Sequence, residues 1–363
     1  VCKFFQSFES PPTEIASRNN RGVAILKAVG HYKALPIDHV DALIDIDLSE
    51  PPLGRRDLLV KVEAISVNPA DYRVRGRKVD DGQIAILGWD VAGIVAKIGE
   101  DVQGFQVGDA VYYAGDLTRP GANSELHAVD YRIVGHRPTT LPASEAAALP
   151  LTLLTAWEAL FERFHISRHS NEGNRTILII GGAGGAGSVA IQLARLASGL
   201  TVVATASRPQ ARAWCRSLGA HHVVDHFGDI PEQLAELGHP QVEMVLILND
   251  PDKHYPTAAQ VVAPQGAICS IVPFERAPDI NLIMRKSATF VWEFMFTRSM
   301  FATADIAKQG SILNDAAELI DSGKLKSTVS EIVRPINARN LRDAHARLEA
   351  GRMIGKLVLA DFE

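Results

Sequence analysis

The feature of this 363-residue chain that most constrains its fold is a glycine-rich turn placed between a buried strand and a helix. Residues 176–180 (TILII) are an apolar run rich in β-branched side chains, and GGAGGAG follows at residues 181–187, directly before a helical pattern. Gly182, Gly184 and Gly187 have the GxGxxG spacing, which permits a tight turn, close approach of backbone amides to a pyrophosphate, and close packing of helix on strand. We therefore predict that a dinucleotide binds to Gly182, Ala183, Gly184, Gly185, Ala186 and Gly187.

The segments around this turn predict a parallel sheet. Between residues 176 and 272, short strand patterns alternate with helical patterns, which is typical of a doubly wound α/β sheet with right-handed crossovers. Before residue 142 the chain instead shows short strand patterns separated by Gly and Asp turns, which indicates a β-rich, barrel-like domain. A chain of this length is too long for one ordinary core, so these two patterns predict two domains.

The end of the second strand of the sheet predicts which nucleotide binds. NAD-binding proteins usually carry an acid there, which holds the ribose 2′-hydroxyl. In this chain the strand at residues 201–205 leads into Ser207 and Arg208, with no acid. A carboxylate would repel a 2′-phosphate, whereas a serine hydroxyl and a guanidinium group can bind one, so we predict NADPH as the cofactor. The alternative is that Ser207 caps the next helix and Arg208 is a solvated residue of its first turn.

With these features the chain resembles the medium-chain dehydrogenase/reductase superfamily, in particular its quinone oxidoreductase branch and, within it, the zinc-type alcohol dehydrogenase-like group. The resemblance extends from about residue 24 to the C-terminus. Besides the glycine-rich turn, it is carried by segments 67–71 (VNPAD), 87–93 (LGWDVAG), 108–112 (GDAVY), 147–152 (AALPLT), 155–157 (TAW) and 292–296 (WEFMF).

The resemblance implies an α/β fold made of a GroES-like β-barrel catalytic domain and an inserted, doubly wound Rossmann domain. We expect the catalytic domain at residues 22–150 and 288–363 and the NADPH-binding Rossmann domain at residues 151–287. Residues 1–21 show no periodicity, and we interpret them as a weakly ordered extension outside the fold.

The resemblance also implies residues that contact the nicotinamide end of the cofactor. Asn68 matches a position that contacts the nicotinamide ribose. Thr152 and Thr155 match the segment beside the nicotinamide ring.

Three further residues follow strands of the parallel sheet. His226 lies at the end of the third strand, where relatives often use Tyr to hold the 2′-phosphate or its ribose; the alternative is a solvated histidine. Asn249 and Val272 follow the fourth and fifth strands, and the carboxyl edge of a parallel sheet is where its ligand binds.

The zinc ligands of the superfamily's alcohol dehydrogenases are missing from the matching positions. The first of these positions falls within Asn68–Asp71, the histidine position is Trp89, and the third region reads LTL at residues 151–153. Structural zinc needs a closed set of thiolates or histidines, and no cysteine lies between Cys2 and Cys215. We therefore predict no metal site.

Without a metal ion, alcohol oxidation loses the usual means of stabilising its alkoxide, so reduction of a quinone or an α,β-unsaturated carbonyl compound by NADPH is the predicted reaction. Tyr72 is the candidate proton or hydrogen-bond donor; the alternative is a packed tyrosine with a satisfied hydroxyl group. We expect Asp71 and Arg75 to pair structurally and Asp90 to be a buried, structural acid.

Partners and location follow from charge and hydropathy. The net charge of −5 argues against a surface that binds nucleic acid, and no apolar run is long enough to cross a membrane. Residues 290–296 would form an exposed apolar edge, which predicts a homodimer, and the cysteine pattern favours the cytoplasm. Two other functions stay open: a zinc-dependent alcohol dehydrogenase, and an NADPH-binding sensor or structural protein with little turnover.

Overall fold

The computed structural model describes residues 25–168 and 171–363, so the interpretation of residues 1–21 lies outside the described residues. These residues form two compact units. Thr152–Met295 form the first, called here the parallel-sheet unit. Residues 25–151 and Phe296–Glu363 form the second, called here the β-rich unit.

The first part of the β-rich unit consists mainly of strands. In chain order its elements are β1 (Ile25–His31), β2 (Ile44–Ser49), β3 (Asp57–Ser66), α1 (Pro69–Arg75), β4 (Ala85–Ile86), β5 (Val91–Ile98), β6 (Ala110–Tyr113), β7 (Leu126–Asp130), β8 (Val134–His136) and α2 (Ala143–Ala146). Helix α3 (Pro150–Trp157) follows, and the chain passes from one unit to the other after Leu151.

The parallel-sheet unit alternates strands and helices as the sequence predicts. Its further elements are β9 (Thr176–Ile180), α4 (Gly185–Ala194), β10 (Thr201–Thr205), α5 (Pro209–Ser217), β11 (His222–Val224), α6 (Ile230–Glu236), β12 (Val242–Ile247), α7 (Pro251–Val261), β13 (Val262–Ser270) and β14 (Thr289–Trp292). A π-helix at Glu158–Arg163 continues α3.

Within the described residues, six of these strands form one sheet in the order β11-β10-β9-β12-β13-β14, and every neighbouring pair is parallel. The chain therefore starts in the middle of the sheet and winds outward in both directions, which confirms the doubly wound α/β prediction. The β-branched side chains of β9 are fully buried, because a parallel sheet is covered on both faces. β14 extends this sheet beyond residue 287, where the sequence placed the domain boundary, because it continues the parallel pairing of β13.

The chain then returns to the β-rich unit through α8 (Thr297–Met300), α9 (Lys308–Asp321), β15 (Val329–Val333), α10 (Ala338–Glu349) and β16 (Lys356–Ala360). β16 pairs antiparallel with β3, with Val358 opposite Ser66. This pairing brings the first residue of β16, Lys356, beside the end of β3. No helix among the described residues is long and apolar enough to cross a membrane.

Candidate functional site

The glycine-rich turn begins one residue earlier than the sequence motif suggests. Gly181, with φ of +90°, adopts the left-handed conformation that starts the turn, and its amide donates to Oγ1 of Thr205 at 3.0 Å. Gly182 is needed for a different reason, since a Cβ there would lie 2.7 Å from the Cβ of Ala204. The role of the tight turn, assigned to Gly182 from the sequence, therefore belongs to Gly181.

The other two motif glycines have the predicted surroundings. A Cβ on Gly187 would clash with the carbonyl oxygen of Gly181, so only glycine allows α4 to pack this closely. A Cβ on Gly184 would meet its nearest atom at 3.6 Å, which leaves room above the turn.

Gly184 is also the N-cap of α4, whose first residues are Gly185 and Ala186. The amides of a first helical turn have no acceptor within the helix, and Gly184 has no side chain to cap them. This end of α4, together with the turn at Ala183, can therefore bind a phosphate through backbone amides.

Ser207 and Arg208 follow β10, next to the glycine-rich turn in the sheet order. α5 begins at Pro209 with Arg208 as its N-cap, and the side chain of Arg208 makes no capping hydrogen bond. The alternative in which Ser207 caps this helix is therefore wrong, because the N-cap is the next residue, Arg208. Ser207 is half-buried and Arg208 is exposed at the carboxyl edge of the sheet, where a nucleotide phosphate would approach.

His226 lies just after β11, within reach of the charges of Arg208 and Lys253. Its pKa is lowered mainly by burial, and the two cations lower it further while Asp225 raises it. The neighbouring ring of Phe227 is 75% exposed, and Nζ of Lys253 lies 5.1 Å from its centroid. Arg208, Lys253 and His226 therefore lie together in what is called here the cation patch, after its arginine and lysine, on the segments that follow β10, β12 and β11.

Sequence reasoning missed Lys253. It lies in the first turn of α7, and its amide donates to Asp250, the N-cap of that helix. The signal was available, because this turn follows the fourth strand of the same sheet and its carboxyl edge was already the predicted ligand edge.

Asn249 and Val272 lie at the same edge. A Cβ on Gly181 would be 2.8 Å from Oδ1 of Asn249, so this exposed side chain lies beside the glycine-rich turn. The backbone of Val272 is held by Ser270, whose Oγ donates to its carbonyl oxygen at 2.9 Å. Thr152 and Thr155 are both buried on α3, and their spacing of three residues places them on one face of that helix.

In the β-rich unit, Asn68 is the N-cap of α1 and is 1% exposed. Its Oδ1 accepts from Nζ of Lys356 at 2.6 Å, and its Nδ2 donates to Oδ2 of Asp90 at 2.8 Å. The amide predicted to contact the nicotinamide ribose is thus held by a buried ammonium and a buried carboxylate.

Asp90 is fully buried directly before β5. Its Oδ2 also accepts from Oγ of Ser66 at 2.7 Å and from Lys356 at 2.9 Å, and its Oδ1 accepts from the amide of Leu151 at 2.7 Å. Lys356 donates its remaining hydrogen to the carbonyl oxygen of Val67 at 3.0 Å. Asp90, Asn68 and Lys356, called here the Lys356 cluster, therefore satisfy one another.

The expected pairing of Asp71 with Arg75 is wrong. Oδ2 of Asp71 accepts from the amide of Asn68 at 2.6 Å, and burial raises the pKa of Asp71 to about 7. Arg75 turns to α10 instead, where it pairs with Glu349 at 2.5 Å. Residues 69–75 form helix α1, in which Asp71 binds the amide of the N-cap residue while Arg75 reaches a neighbouring helix. Tyr72 lies on this helix, half-buried, with the Arg73 guanidinium 5.9 Å from its ring centroid.

A second buried cluster, which the sequence did not reveal, lies in the parallel-sheet unit. Glu293 follows β14, and Nε of Arg163 donates to its Oε2 at 2.8 Å. The side chain of Glu158, at the start of the π-helix, is hydrogen bonded to Glu293. Burial and the charge of Glu158 raise the pKa of Glu293 to about 9, although Arg163 lowers it. Two carboxyl groups and a shared proton thus form what is called here the Glu293 cluster.

The residues at the expected metal positions do not fit a catalytic zinc ion, which needs thiolate, imidazole or carboxylate donors that converge. The amide oxygen of Asn68 is occupied by Lys356, and the indole nitrogen of Trp89 is a donor bonded to the carbonyl oxygen of Asp116. Leu151 offers only a hydrocarbon side chain. No group of three or more His, Cys, Asp or Glu in the described part of the chain could hold a metal ion.

Two family models match the chain. The one described as an alcohol dehydrogenase GroES-like domain matches residues 54–136, and the one described as a zinc-binding dehydrogenase matches residues 218–359.

Known proteins match almost the whole chain. A zinc-type alcohol dehydrogenase-like protein of Staphylococcus epidermidis is 37% identical over 335 residues, which cover 92% of this chain and 99% of that protein. A solved structure from Rhizobium etli CFN 42, provisionally named a zinc-dependent alcohol dehydrogenase, is 47% identical with a TM-score of 0.90 and covers 94% of this chain and 99% of its own. The quinone oxidoreductase of Coxiella burnetii is 25% identical with a TM-score of 0.77 and covers 93% of this chain and 100% of its own.

Proposed function

Because the chain belongs to the medium-chain dehydrogenase/reductase superfamily, in its zinc-type alcohol dehydrogenase-like group, we propose that it is an oxidoreductase that uses NADPH, without a metal ion, to reduce quinones or α,β-unsaturated carbonyl compounds. The observation that carries the cofactor preference is the cation patch beside the glycine-rich turn.

The cation patch favours a 2′-phosphate over a 2′-hydroxyl group. Arg208 and Lys253 each supply a charge, and no carboxylate ends β10. Two acids lie nearby, but both are bound locally. Asp225 accepts from the amide of Phe227 at 2.9 Å, and Asp250 accepts from the amide of Lys253 at 3.3 Å. Charge-assisted hydrogen bonds from Arg and Lys to phosphate are among the strongest in proteins, so the patch supports NADPH.

The metal-free reaction is supported by the donor groups of the β-rich unit, which do not fit zinc. Bound NADPH would supply a hydride. A conjugated carbonyl compound accepts hydride at carbon without a Lewis acid because the electron pair is delocalised onto its oxygen, and that oxygen then takes a proton. Water or the hydroxyl group of Tyr72 donates this proton. A relative named quinone oxidoreductase supports the same substrate class.

The test is a comparison of initial rates with NADPH and NADH on a panel of quinones and enones, with and without a chelator. We expect turnover with NADPH that the chelator leaves unchanged. Alcohol-dependent reduction of NAD that chelation abolishes would favour the zinc enzyme instead. Tight NADPH binding with no turnover across the panel would favour a sensor.

The cofactor preference has its own test. Arg208→Ala and Lys253→Ala should each raise the Kd for NADPH by about tenfold, the equivalent of one charged hydrogen bond, and leave the Kd for NADH unchanged. Arg216→Ala is the matched control, because this exposed arginine lies in the last turn of α5. If the two patch variants lose as much affinity for NADH as for NADPH, the patch is not a 2′-phosphate site.

The proposal includes a homodimer formed through the outer edge of β14. This strand has one neighbour in the sheet of the described residues, and Trp292 on it is 46% exposed. An exposed apolar strand edge favours pairing with another chain. Light scattering that gives the mass of one chain would contradict it. A cytoplasmic location is also proposed, since Cys215 and Cys269 are free thiols.

A further inference from the structure

Lys356 is a buried lysine, which is rare in proteins unless its ammonium group is paired. It is the first residue of β16 and only 3% exposed, yet its ammonium group reaches three oxygen atoms. These are the carbonyl oxygen of Val67, Oδ1 of Asn68 and Oδ2 of Asp90, at 3.0, 2.6 and 2.9 Å. An ammonium group has three hydrogens, so this arrangement uses all of its donors.

The first consequence is that Lys356 fixes the orientation of the Asn68 amide. An ammonium group can only donate, so it takes Oδ1, and an ionised carboxylate can only accept, so Asp90 takes a hydrogen of Nδ2. Turning the amide by 180° would place donor against donor and acceptor against acceptor. One amide orientation is therefore imposed by charge rather than by packing.

The second consequence extends to helix α3. Asp90, whose Oδ2 is neutralised by Lys356, accepts from the amide of Leu151 through Oδ1. Leu151 lies in the first turn of α3 and directly precedes Thr152 in the chain. A carboxylate that binds a first-turn amide stabilises the start of a helix, so the same ammonium also holds the beginning of α3.

Stability alone does not account for such a cluster. A buried ion pair can often be replaced by apolar residues of similar volume with no loss of stability, because desolvation offsets the attraction. An apolar replacement would lack the directional bonds that orient Asn68 and Leu151. Asn68 and Trp89, which directly precedes Asp90, lie at positions that the resemblance assigns to zinc ligands, and the cation that Asn68 and Asp90 contact is the ammonium group of Lys356.

We propose that Lys356 is a positioning residue for the nicotinamide end of the cofactor, and that its ammonium group replaces a metal ion as the cation around which Asn68, Asp90 and the start of α3 are arranged. This rests on the proposed function and on the family resemblance, which implies that Asn68 contacts the nicotinamide ribose and that Thr152 lies beside the ring.

The test separates the two ends of the cofactor. NADPH contains the nicotinamide, whereas 2′,5′-ADP carries only the adenosine phosphates. Kd values for both ligands are measured on the full chain and on Lys356→Met. Because Lys356→Met leaves Asp90 without its cation and can unfold the protein, Asp90→Asn/Lys356→Met is measured as well, since it removes both charges.

The matched control is Lys286→Met. Lys286 also donates to three oxygens, the carbonyls of Ala259, Gln260 and Val262 at 2.9, 2.6 and 2.7 Å, but it caps the end of α7. The expected result is a Kd for NADPH raised about tenfold in the folded variants of Lys356, with the Kd for 2′,5′-ADP changed less than about twofold. Lys286→Met should change neither value.

Two results would overturn the proposal. One is a folded double variant that binds NADPH like the wild type, which would make the role of Lys356 purely structural. The other is an equal loss of affinity for NADPH and 2′,5′-ADP, which would mean that Lys356 does not act on the nicotinamide end alone. If the wild type binds NADH as well as NADPH and ignores 2′,5′-ADP, the cofactor preference alone is wrong, and the same variants are then compared with NADH and 5′-AMP.

Discussion

The two units bury charged side chains in opposite ways. In the Lys356 cluster the ammonium contacts the carboxylate of Asp90, which accepts four hydrogen bonds, and the buried carboxyl group of Asp71 lies near both. In the Glu293 cluster two carboxyl groups face each other, with Arg163 as the cation that contacts Glu293. The first cluster joins groups of opposite charge, whereas the second retains a proton at neutral pH that a solvated glutamate would have lost.

This difference changes what each cluster contributes to stability. A buried pair of opposite charges has a small net effect on the free energy of unfolding while both partners are present. Removing one partner lowers that free energy strongly, because the other charge is left buried. Two buried carboxyl groups in contact lower the stability of the folded state, because one of them must keep a proton that it would lose in solvent. Removing the ammonium should therefore destabilise the first cluster, whereas neutralising one carboxyl group should stabilise the second.

The largest expected effect is the loss of the cation in the Lys356 cluster. Lys356→Met should lower the free energy of unfolding by about 3–5 kcal/mol, since Asp90 is then buried without a counter-charge. Urea denaturation at pH 7 measures it. Asp90→Asn/Lys356→Met should recover most of the loss, and a double variant as unstable as Lys356→Met would show that packing, not charge, dominates.

The next effect has the opposite sign. The pKa of Glu293 is raised from an ordinary 4.5 to about 9, so between these pH values the folded state holds a proton that the unfolded state has lost. Stability should then fall as pH rises through this window, by up to about 1.4 kcal/mol per pH unit. Glu293→Gln keeps the neutral form, so it should raise the free energy of unfolding at pH 8 by about 2 kcal/mol and flatten the pH dependence.

Glu331→Gln is the control for this pH dependence. Glu331 is paired with Arg347 at the surface, and that pairing lowers its pKa. Its contribution is therefore already complete above its ordinary pKa, and the slope between pH 5 and pH 9 should stay as in the wild type. A wild-type protein whose stability rises over this range would contradict the protonated state of Glu293.

The same contrast explains how much the sequence could predict. The parallel sheet and the glycine-rich turn were predicted because their signals are local: β9, the turn and α4 are consecutive, and each has its own pattern. Even there the left-handed residue is Gly181 rather than Gly182, because the motif fixes spacing but not φ. The residues that follow β10, Ser207 and Arg208 in place of an acid, are likewise a signal that consecutive residues carry.

The two clusters depend on long-range pairing instead. Lys356 meets Asn68 and Asp90 across 288 and 266 residues of chain, and only the antiparallel pairing of β16 with β3 brings them together. A lysine that opens an apolar strand has the same pattern whether its ammonium is solvated or buried. The pairing expected for Asp71 and Arg75 was wrong although their spacing of four favours pairing along a helix, because Asp71 binds the N-cap amide of its own helix and Arg75 reaches Glu349 on α10.

The smallest expected effect tests whether Arg163 balances the Glu293 cluster in part. Its side chain is 31% exposed, so its interaction with Glu293 is partly screened, and Arg163→Met should cost only about 1 kcal/mol at pH 10, where Glu293 is mainly ionised. At pH 5 the cost should be smaller, because the protonated carboxyl group carries no charge for the guanidinium to meet. In a Glu293→Gln background the pH dependence of this cost should vanish, and a double-mutant cycle measures that difference. If Arg163→Met costs the same at both pH values, the ionised form of Glu293 does not depend on Arg163, and the cluster is held by the shared proton alone.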